Sequence, residues 1–259
     1  MPSKISALVI ESARPRYTSP LNITGSFLFM SDIEIPFHNA TFINQVFEVA
    51  KRYSVGQLVI GGDFLHFESF SPFLGGSNDV DEEVSEIEKY LPAFLSPFKH
   101  IAWFMGNHDD RPKRAVQRKV SAVNSLRIIL SKELAGTFNK KVVMSEYYWC
   151  TAGSDWQLEH QKDVNAIPTK AAQALSAKYH KNIITAHTHK AGIVKYNGFW
   201  AIDSGCAVDA DRLAYTSLRH SSGSAMQNGA VLMIWRKNQY VPIHLTPDRM
   251  EFELWRARK

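Results

Sequence analysis

Short runs of apolar residues recur along the chain, and each is followed by a polar stretch. The first three runs are Phe27–Met30, Leu58–Ile60 and Ile101–Phe104. Because they contain no polar alternation, they predict strands that are buried on both faces. Between the first two runs, Asn39 can cap a helix over residues 40–53. The order strand, polar tip, helix, strand is typical of a layered α/β protein.

The rest of the chain continues this alternation. An acidic amphipathic helix with a solvated acidic face is predicted over Asp79–Leu95, and a basic helix is predicted after Arg111 through about Leu134. An aromatic-rich strand is predicted over Val142–Cys150. The remaining predicted elements are a helix from Pro168 to about Tyr179 and strands at Asn182–Ala186, 192–197, 199–203, 229–236 and 239–245. Asn197-Gly198 between two of these strands is a hairpin signal.

Length and composition favour one globular domain. The 259 residues are 45% apolar and 21% charged, without internal repeats. We therefore expect a single domain over 1–259, with an irregular N-terminal segment at 1–26 that includes an edge strand, and cleft-covering insertions at 66–95 and 205–228. Two cysteines cannot form a disulfide framework, so reduced, buried thiols are expected.

No apolar run reaches the length that a membrane span needs, and no signal-peptide core precedes Glu11, so we expect a cytoplasmic protein without a membrane partner. The net charge of +5 modestly favours a polyanionic partner such as DNA or RNA, although simple solubility explains it as well. The oligomeric state is not readable from the sequence.

Five polar clusters lie at or just beyond the ends of strand-like runs. They are Asp32 with Glu34, Asp63, Asn107-His108, His160, and His187 with His189. Open α/β sheets bind ligands at the carboxyl ends of their strands, so these clusters are expected to converge. Carboxylates, an amide oxygen and imidazoles suit Mn²⁺, Fe or Zn²⁺. The ligands are too many for one four-coordinate ion and fit two cations that share a bridging carboxylate.

The order of these motifs, ending in Gly106-Asn107-His108-Asp109, His160 and the His187-x-His189 pair, resembles the calcineurin-like metallophosphoesterase superfamily. The resemblance spans Asp32 to His189. It implies a four-layer α-β-β-α sandwich of two mixed sheets flanked by helices, with a two-metal centre at the strand ends. A tail like Gly205–Thr216 occurs in phage or prophage members, which would place the protein in a host cytoplasm.

Carried over by position, the resemblance implies a role for each residue. Asp32, Asp63 and His189 would hold the first cation, with Asp63 bridging. Asn107, His160 and His187 would complete the second site. His108 would contact the phosphoryl oxygens and protonate the leaving oxygen, and Asp109 would orient His108. Apart from the resemblance, His38 and His66 are expected to line the substrate cleft. Arg111, Lys113 and Arg114 could bind a substrate phosphate, although a solvated basic face explains them as well.

One position departs from the family pattern, which has His two residues after the first Asp where this chain has Glu34. Glu34 could coordinate the first cation and favour a harder ion such as Mn²⁺. Alternatively, Glu34 points away and His38 reaches into the site, or Glu34 is an ordinary solvated loop residue. The identity of the cations is therefore open, with Mn²⁺ preferred over Fe, Zn²⁺ and Ni²⁺.

The expected function is hydrolysis of a phosphodiester, in nucleic acid or a nucleotide, by a hydroxide that bridges two cations. A phosphomonoesterase that acts on a nucleotide or phosphoprotein would use the same groups. A non-catalytic scaffold with a degenerate metal site is the alternative from another class, and the presence of His108 and Asp109 argues against it.

Overall fold

The computed structural model describes residues 19–71, 79–163, 165–213 and 226–256. Within these ranges the strands, in chain order, are β1 (Asn22–Ile23), β2 (Phe27–Met30), β3 (Gln57–Gly61), β4 (His100–Phe104), β5 (Val142–Ser145), β6 (Trp149–Ala152), β7 (Trp156–Glu159), β8 (Asn182–Thr185), β9 (Ala191–Tyr196), β10 (Phe199–Ser204), β11 (Ala230–Arg236) and β12 (Gln239–Leu245).

The helices within the same ranges are α1 (Ala40–Arg52), α2 (Val80–Leu95), α3 (Arg111–Ala115), α4 (Ala122–Ile129), α5 (Lys170–Tyr179) and α6 (Pro247–Arg256). Two short 3-10 turns occur at Glu68–Phe70 and Ala210–Arg212, and a π-helical segment at Ser131–Thr137. The described residues contain no helix that is long and apolar enough to cross a membrane.

The strands form two six-stranded sheets. One has the order β12-β11-β2-β3-β4-β5, and the other has the order β1-β6-β7-β8-β10-β9. Strands β2, β3, β4 and β5 run parallel to one another, while β11 and β12 add an antiparallel edge. In the other sheet β7, β8 and β10 are parallel, and β9 is antiparallel. Both sheets are therefore mixed.

Alternate residues of β2 show how the layers pack. Phe27 and Phe29 lie in the core between the two sheets, whereas Leu28 and Met30 lie in the core that also contains buried residues of α1 and α2. This is the two-residue period of a strand with both faces covered. On the outer side of the other sheet, Ala172 of α5 packs with residues of β8 and β10. The predicted α-β-β-α sandwich is confirmed.

Most predicted elements match the structure. Asn39 caps α1, because its side chain accepts a hydrogen bond of 3.0 Å from the N–H of Phe42. The hairpin between β9 and β10 turns at Asn197 and Gly198, which both have positive φ, as a type I′ turn requires. The predicted edge strand of the N-terminal segment is β1. Both cysteines are free and buried, as expected.

Three element predictions were wrong. The aromatic-rich stretch Val142–Cys150 is two strands rather than one, since β5 belongs to one sheet and β6 to the other. The basic helix is interrupted between α3 and α4, where Gln117 and Arg118 have positive φ. On α2 the acidic face is not wholly solvated, because Glu83 is buried.

The prediction of cleft-covering segments stays a prediction. Residues 72–78 and 214–225 lie outside the described ranges. The helical part of the first segment, α2, buries Ile87, Leu91 and Leu95 in the core beside the first sheet.

Candidate metal centre

The loops that follow β2 and β3 are held together by backbone hydrogen bonds. The N–H groups of Ile33 and Glu34 both donate to the carbonyl of Asp63 at 3.0 Å, and the N–H of Asp32 donates to Gly62 at 3.1 Å. The two parallel strands thus end at the same level, and their acidic side chains meet. Left-handed backbone aims five of the predicted ligands: Asp32 (φ 49°), Glu34 (φ 50°), Asp63 (φ 49°), His187 (φ 75°) and His189 (φ 53°).

Gly106 lets the loop after β4 approach these residues. A Cβ atom at this position would lie 2.2 Å from Asp63 Oδ1 and 2.3 Å from the Asp63 backbone nitrogen. The absence of a side chain therefore allows the backbone N–H of His108 to donate to Asp63 Oδ1 at 2.7 Å. This glycine has a steric role in the Gly-Asn-His-Asp motif.

His160 follows β7, which belongs to the sheet that does not contain β3, and its side chain approaches Asp63. Its Nε2 lies 3.2 Å from Asp63 Oδ2 and 3.1 Å from Asn107 Oδ1. Its Nδ1 lies 2.9 Å from the carbonyl of Gly61, which can only accept, so Nδ1 carries a proton. Nε2 is then the nitrogen that is turned to the cluster, an arrangement that metal-binding histidines commonly have. One ligand atom from each of Asp32, Asp63, His160 and His187 lies within 4.8 Å of the others.

Asp32, Glu34 and His189 form the other half of the cluster. Nε2 of His189 lies 3.1 Å from Asp32 Oδ1 and 3.3 Å from Glu34 Oε1. These distances suit ion pairs, but their geometry does not make hydrogen bonds, and within the described residues both buried oxygens lack a hydrogen-bond partner. Asp32 Oδ2 accepts from the backbone N–H of His187 at 3.0 Å. Two buried carboxylate oxygens that face one imidazole without a hydrogen-bond partner are a donor set that a divalent cation satisfies.

The ionisation of the cluster fits cation binding. Burial opposes charge on Glu34, but His108, His189 and His66 outweigh it, so its pKa is lowered well below the usual value. Burial likewise opposes charge on His160, yet the Asp63 and Asp32 carboxylates raise its pKa to about 9. The pKa of His189 is raised well above its usual value, against burial, by Asp32 and Glu34. The carboxylates thus raise the proton affinity of both imidazoles, and bound cations would balance the same negative charge.

The structure decides between the alternatives for Glu34. Its side chain is completely buried among site residues, so the alternative of a solvated loop residue is wrong. The alternative that His38 replaces it is also wrong, as is the expectation that His38 contacts substrate. The ring of His38 packs edge-on against Tyr90 and Phe94 of α2, at centroid distances of 4.9 and 5.0 Å. Burial there lowers the pKa of His38 to about 4.

His108 is buried beside the cluster. Nε2 lies 3.9 Å from Asp63 Oδ2, and Nδ1 lies 3.8 Å from Glu34 Oε2, both too long for a hydrogen bond. Nε2 is 3.0 Å from Arg111 Nη2, and because a guanidinium only donates, Nε2 accepts in this arrangement. Burial lowers the pKa of His108 to about 4, although the Asp63 and Glu34 carboxylates act in the opposite direction.

Asp109 does not orient His108, which corrects the expectation from the sequence. Its two oxygens are both engaged elsewhere. They accept hydrogen bonds of 3.1 to 3.2 Å from the backbone N–H groups of Phe64, Leu65 and Gly106 and from Nε1 of Trp103. Burial and the nearby Asp63 raise the pKa of Asp109 to about 7, while these donors act to lower it. Asp109 therefore links the loops that follow β3 and β4.

His66 has a contact that the sequence did not indicate. It was expected to line the cleft, but its ring is buried and its Nδ1 lies 2.7 Å from Glu34 Oε2. Only its place three residues after Asp63, on the same strand end, pointed to the site. Arg111 lies beside the cluster as expected, whereas Lys113 and Arg114 form ion pairs with Asp110.

Proteins similar to this chain were found only by comparing structures. No protein-family model matches the chain, and no curated protein matches it. A phosphoesterase from Escherichia coli, YfcE, is 14% identical, with a TM-score of 0.38 over 85% of this chain and 98% of its own. A predicted phosphoesterase from Streptococcus pneumoniae is 12% identical, with a TM-score of 0.37 over 86% and 90%. Vacuolar Protein Sorting 29 from Cryptosporidium parvum is 12% identical, with a TM-score of 0.38 over 85% and 96%.

Since these TM-scores are below 0.5, the matches carry no argument about activity. The sequence motifs and the observed layers do agree with each other. The chain resembles calcineurin-like metallophosphoesterases in the order of its motifs, and it has the four-layer architecture that this resemblance implied.

Proposed function

We propose that the chain is a metal-dependent phosphoesterase that uses two divalent cations. The observation that carries the proposal is the convergence of three carboxylates and three imidazoles at the strand ends, where two buried carboxylate oxygens have no hydrogen-bond partner within the described residues. Asp32, Glu34, Asp63 and His189 would hold the first cation. Asp63, Asn107, His160 and His187 would hold the second.

Asp63 fits the shared position. It has ligand atoms close to both halves of the cluster, and its side chain is fixed, since Oδ1 accepts from the N–H of His108 while Oδ2 faces His160. Bound cations would polarise the phosphoryl oxygens of a substrate and acidify a water for attack on phosphorus. Glu34 as an additional oxygen ligand favours Mn²⁺ over softer ions.

Arg111 and His108 supply the remaining chemistry. A guanidinium next to the cluster suits the phosphoryl oxygens, which it can bind with two parallel hydrogen bonds. When Arg111 turns to the substrate, Nε2 of His108 is released from the 3.0 Å contact that now occupies it. The negative charge of the substrate raises the proton affinity of His108, and the imidazolium can then protonate the leaving oxygen.

The substrate we propose is a phosphodiester, with nucleic acid as the polymer to test first. The support is the net charge of +5 and the position of Arg111. Lys113 and Arg114 add less than the sequence indicated, because Asp110 pairs with both. A phosphomonoester remains the competing substrate for the same groups.

The test is hydrolysis of bis-p-nitrophenyl phosphate and p-nitrophenyl phosphate with added Mn²⁺. We expect the diester to be cleaved faster, and His108→Ala to lose about 100-fold or more in kcat, the usual contribution of a general acid. His100→Ala is the matched control, because His100 is an exposed histidine at the opposite end of β4. Faster cleavage of the monoester would replace the diester proposal, and a chain that neither binds cations nor hydrolyses either substrate would refute both.

A further inference from the structure

His66 contacts the one candidate ligand that departs from the family pattern. Its Nδ1 lies 2.7 Å from Glu34 Oε2, with side chains only 3% and 0% exposed. An ionised carboxylate only accepts, so Nδ1 is the donor. The bond occupies Oε2 and leaves Oε1, which is the oxygen that lies 3.3 Å from His189 Nε2 and has no hydrogen-bond partner within the described ranges.

His66 is held in place by its backbone as well as by its ring. The backbone N–H of His66 donates to the carbonyl of Ile35 at 3.0 Å, and the backbone carbonyl of His66 accepts from Nη1 of Arg111 at 2.6 Å. The ring meets Phe37 and His108 edge-on, at centroid distances of 4.8 and 5.0 Å. The direction of its N–H is therefore set by packing and not by the carboxylate alone.

A fixed donor matters because Glu34 has two equivalent oxygens and more rotatable bonds than an aspartate. Without the donor, Oε2 could turn to the cation and make a two-oxygen ligand. It could also turn to Nδ1 of His108, which is now 3.8 Å away. Metal sites commonly use a carboxylate to orient a ligating imidazole. Here an imidazole is placed to orient a ligating carboxylate.

We propose that His66 is a positioning residue that holds Glu34 as a one-oxygen ligand of the first cation, an inference that rests on the proposed function. Removing its Nδ1 donor is expected to weaken the first cation about 10-fold to 100-fold, the range for partners of this kind. The second cation is expected to bind as before, because within the described residues the ring of His66 makes its hydrogen bond and ring contacts with Glu34, Phe37 and His108 and not with His160, His187 or Asn107.

The experiment is a Mn²⁺ titration of the full chain, in which calorimetry measures binding and electron paramagnetic resonance records the spectrum of the bound ions. His66→Leu removes the Nδ1 donor. In His66→Asn, the side chain has the same branched shape as leucine but places an amide N–H near the former Nδ1. We expect two ions in the wild type and in the Asn variant. In the Leu variant we expect one tight ion at the same free Mn²⁺, with the spectrum of neighbouring coupled ions replaced by that of a single ion.

His38→Leu is the matched control, since His38 is also a buried histidine but packs against α2; it is expected to bind two ions. Should His66→Leu fail to fold by circular dichroism, His66→Phe keeps the ring volume without the donor and takes its place. Unchanged first-site affinity in the donor-free variant, or equal losses in the Asn and donor-free variants, would overturn the role of His66. A wild type that binds no cation would instead overturn the proposed function itself.

Discussion

The Asp109 carboxylate holds the loops that follow β3 and β4 in place beside the site. It accepts hydrogen bonds from three backbone N–H groups and one indole, and all four donors are buried with it. An amide at this position would place an NH₂ group against two of those donors. A buried donor without a partner destabilises the fold by about 1–3 kcal/mol, and the amide would leave two such donors unsatisfied.

We therefore expect Asp109→Asn to lower the free energy of unfolding by about 3 kcal/mol, measured by urea denaturation of the metal-free chain. Asp110→Asn is the matched control from the next position. Its carboxylate pairs with Lys113 and with Arg114, which is half exposed, and such pairs contribute about 1 kcal/mol or less. Equal losses in the two variants would show that the hydrogen bonds of Asp109 have no special weight.

At the residue scale, the sequence predicted which side chains converge but not what each one contacts. Strand-end position was enough to bring Asp32 and Asp63 together, because the parallel strands β2 and β3 end at one edge of their sheet. His187 reaches them from the end of β8 in the other sheet. The partners of Asp109 and the bond between His66 and Glu34 could not be predicted. They depend on contacts between loops that follow different strands, and on side-chain directions that no local pattern encodes.

At the scale of elements, α2 holds the segment that carries His66. Both oxygens of Glu83 are used: Oε1 accepts from the N–H of Glu68 at 2.8 Å, and Oε2 accepts from the N–H of Ser69 at 2.9 Å. The carboxylate thus caps the 3-10 turn that begins two residues after His66. A helix that was expected to have a purely solvated acidic face therefore fixes part of the site.

We expect Glu83→Gln to accelerate hydrogen exchange at the amides of Glu68 and Ser69 by about 10-fold or more, because loss of a charge-assisted bond corresponds to about 1.5–3 kcal/mol. Glu82→Gln changes an exposed neighbour on the same helix and is the control, with exchange unchanged. If exchange at the two amides stays at the wild-type rate in both variants, Glu83 does not fix the turn.

The element predictions failed where the chain changes partners without changing character. From Val142 to Cys150 the residues are continuously strand-like, so the passage from one sheet to the other leaves no polar or glycine signal. The interruption between α3 and α4 is likewise hidden, because basic residues continue across it. Helix α1 was predicted well since its cap and its apolar face are local features.

At the scale of the molecule, the site joins the two sheets. The loops after β2, β3 and β4 supply the carboxylates and Asn107, whereas β7 and β8 lead to the imidazoles. The chain divides these two sets at the sheet change after β5. Cation binding should therefore stabilise the packing of one sheet on the other as well as each loop.

The raised pKa values of two candidate ligands predict that cation binding releases protons. At pH 7.5, His160 with a pKa of about 9 is protonated in the metal-free chain, and the pKa of His189 is raised well above its usual value. A ligating imidazole nitrogen must lose its proton, so Mn²⁺ binding should release protons, from His160 above all, and affinity should rise as pH increases to about 9. Calorimetry in two buffers of different protonation enthalpy measures the release. His160→Asn should release less, and binding without proton release would contradict the raised pKa values.

The left-handed backbone of the site lowers thermal stability while it places the candidate cation ligands. It occurs at Asp32, Glu34, Asp63, His187 and His189. Such conformations are strained for any residue with a Cβ, by about 1–3 kcal/mol each, and glycine relieves the strain. A library of variants sorted only for survival at high temperature should accumulate glycine first at His187 and His189, because the side chains of Asp32, Glu34 and Asp63 accept hydrogen bonds that glycine would remove. The most heat-resistant variants would then be those in which glycine has replaced candidate cation-binding side chains.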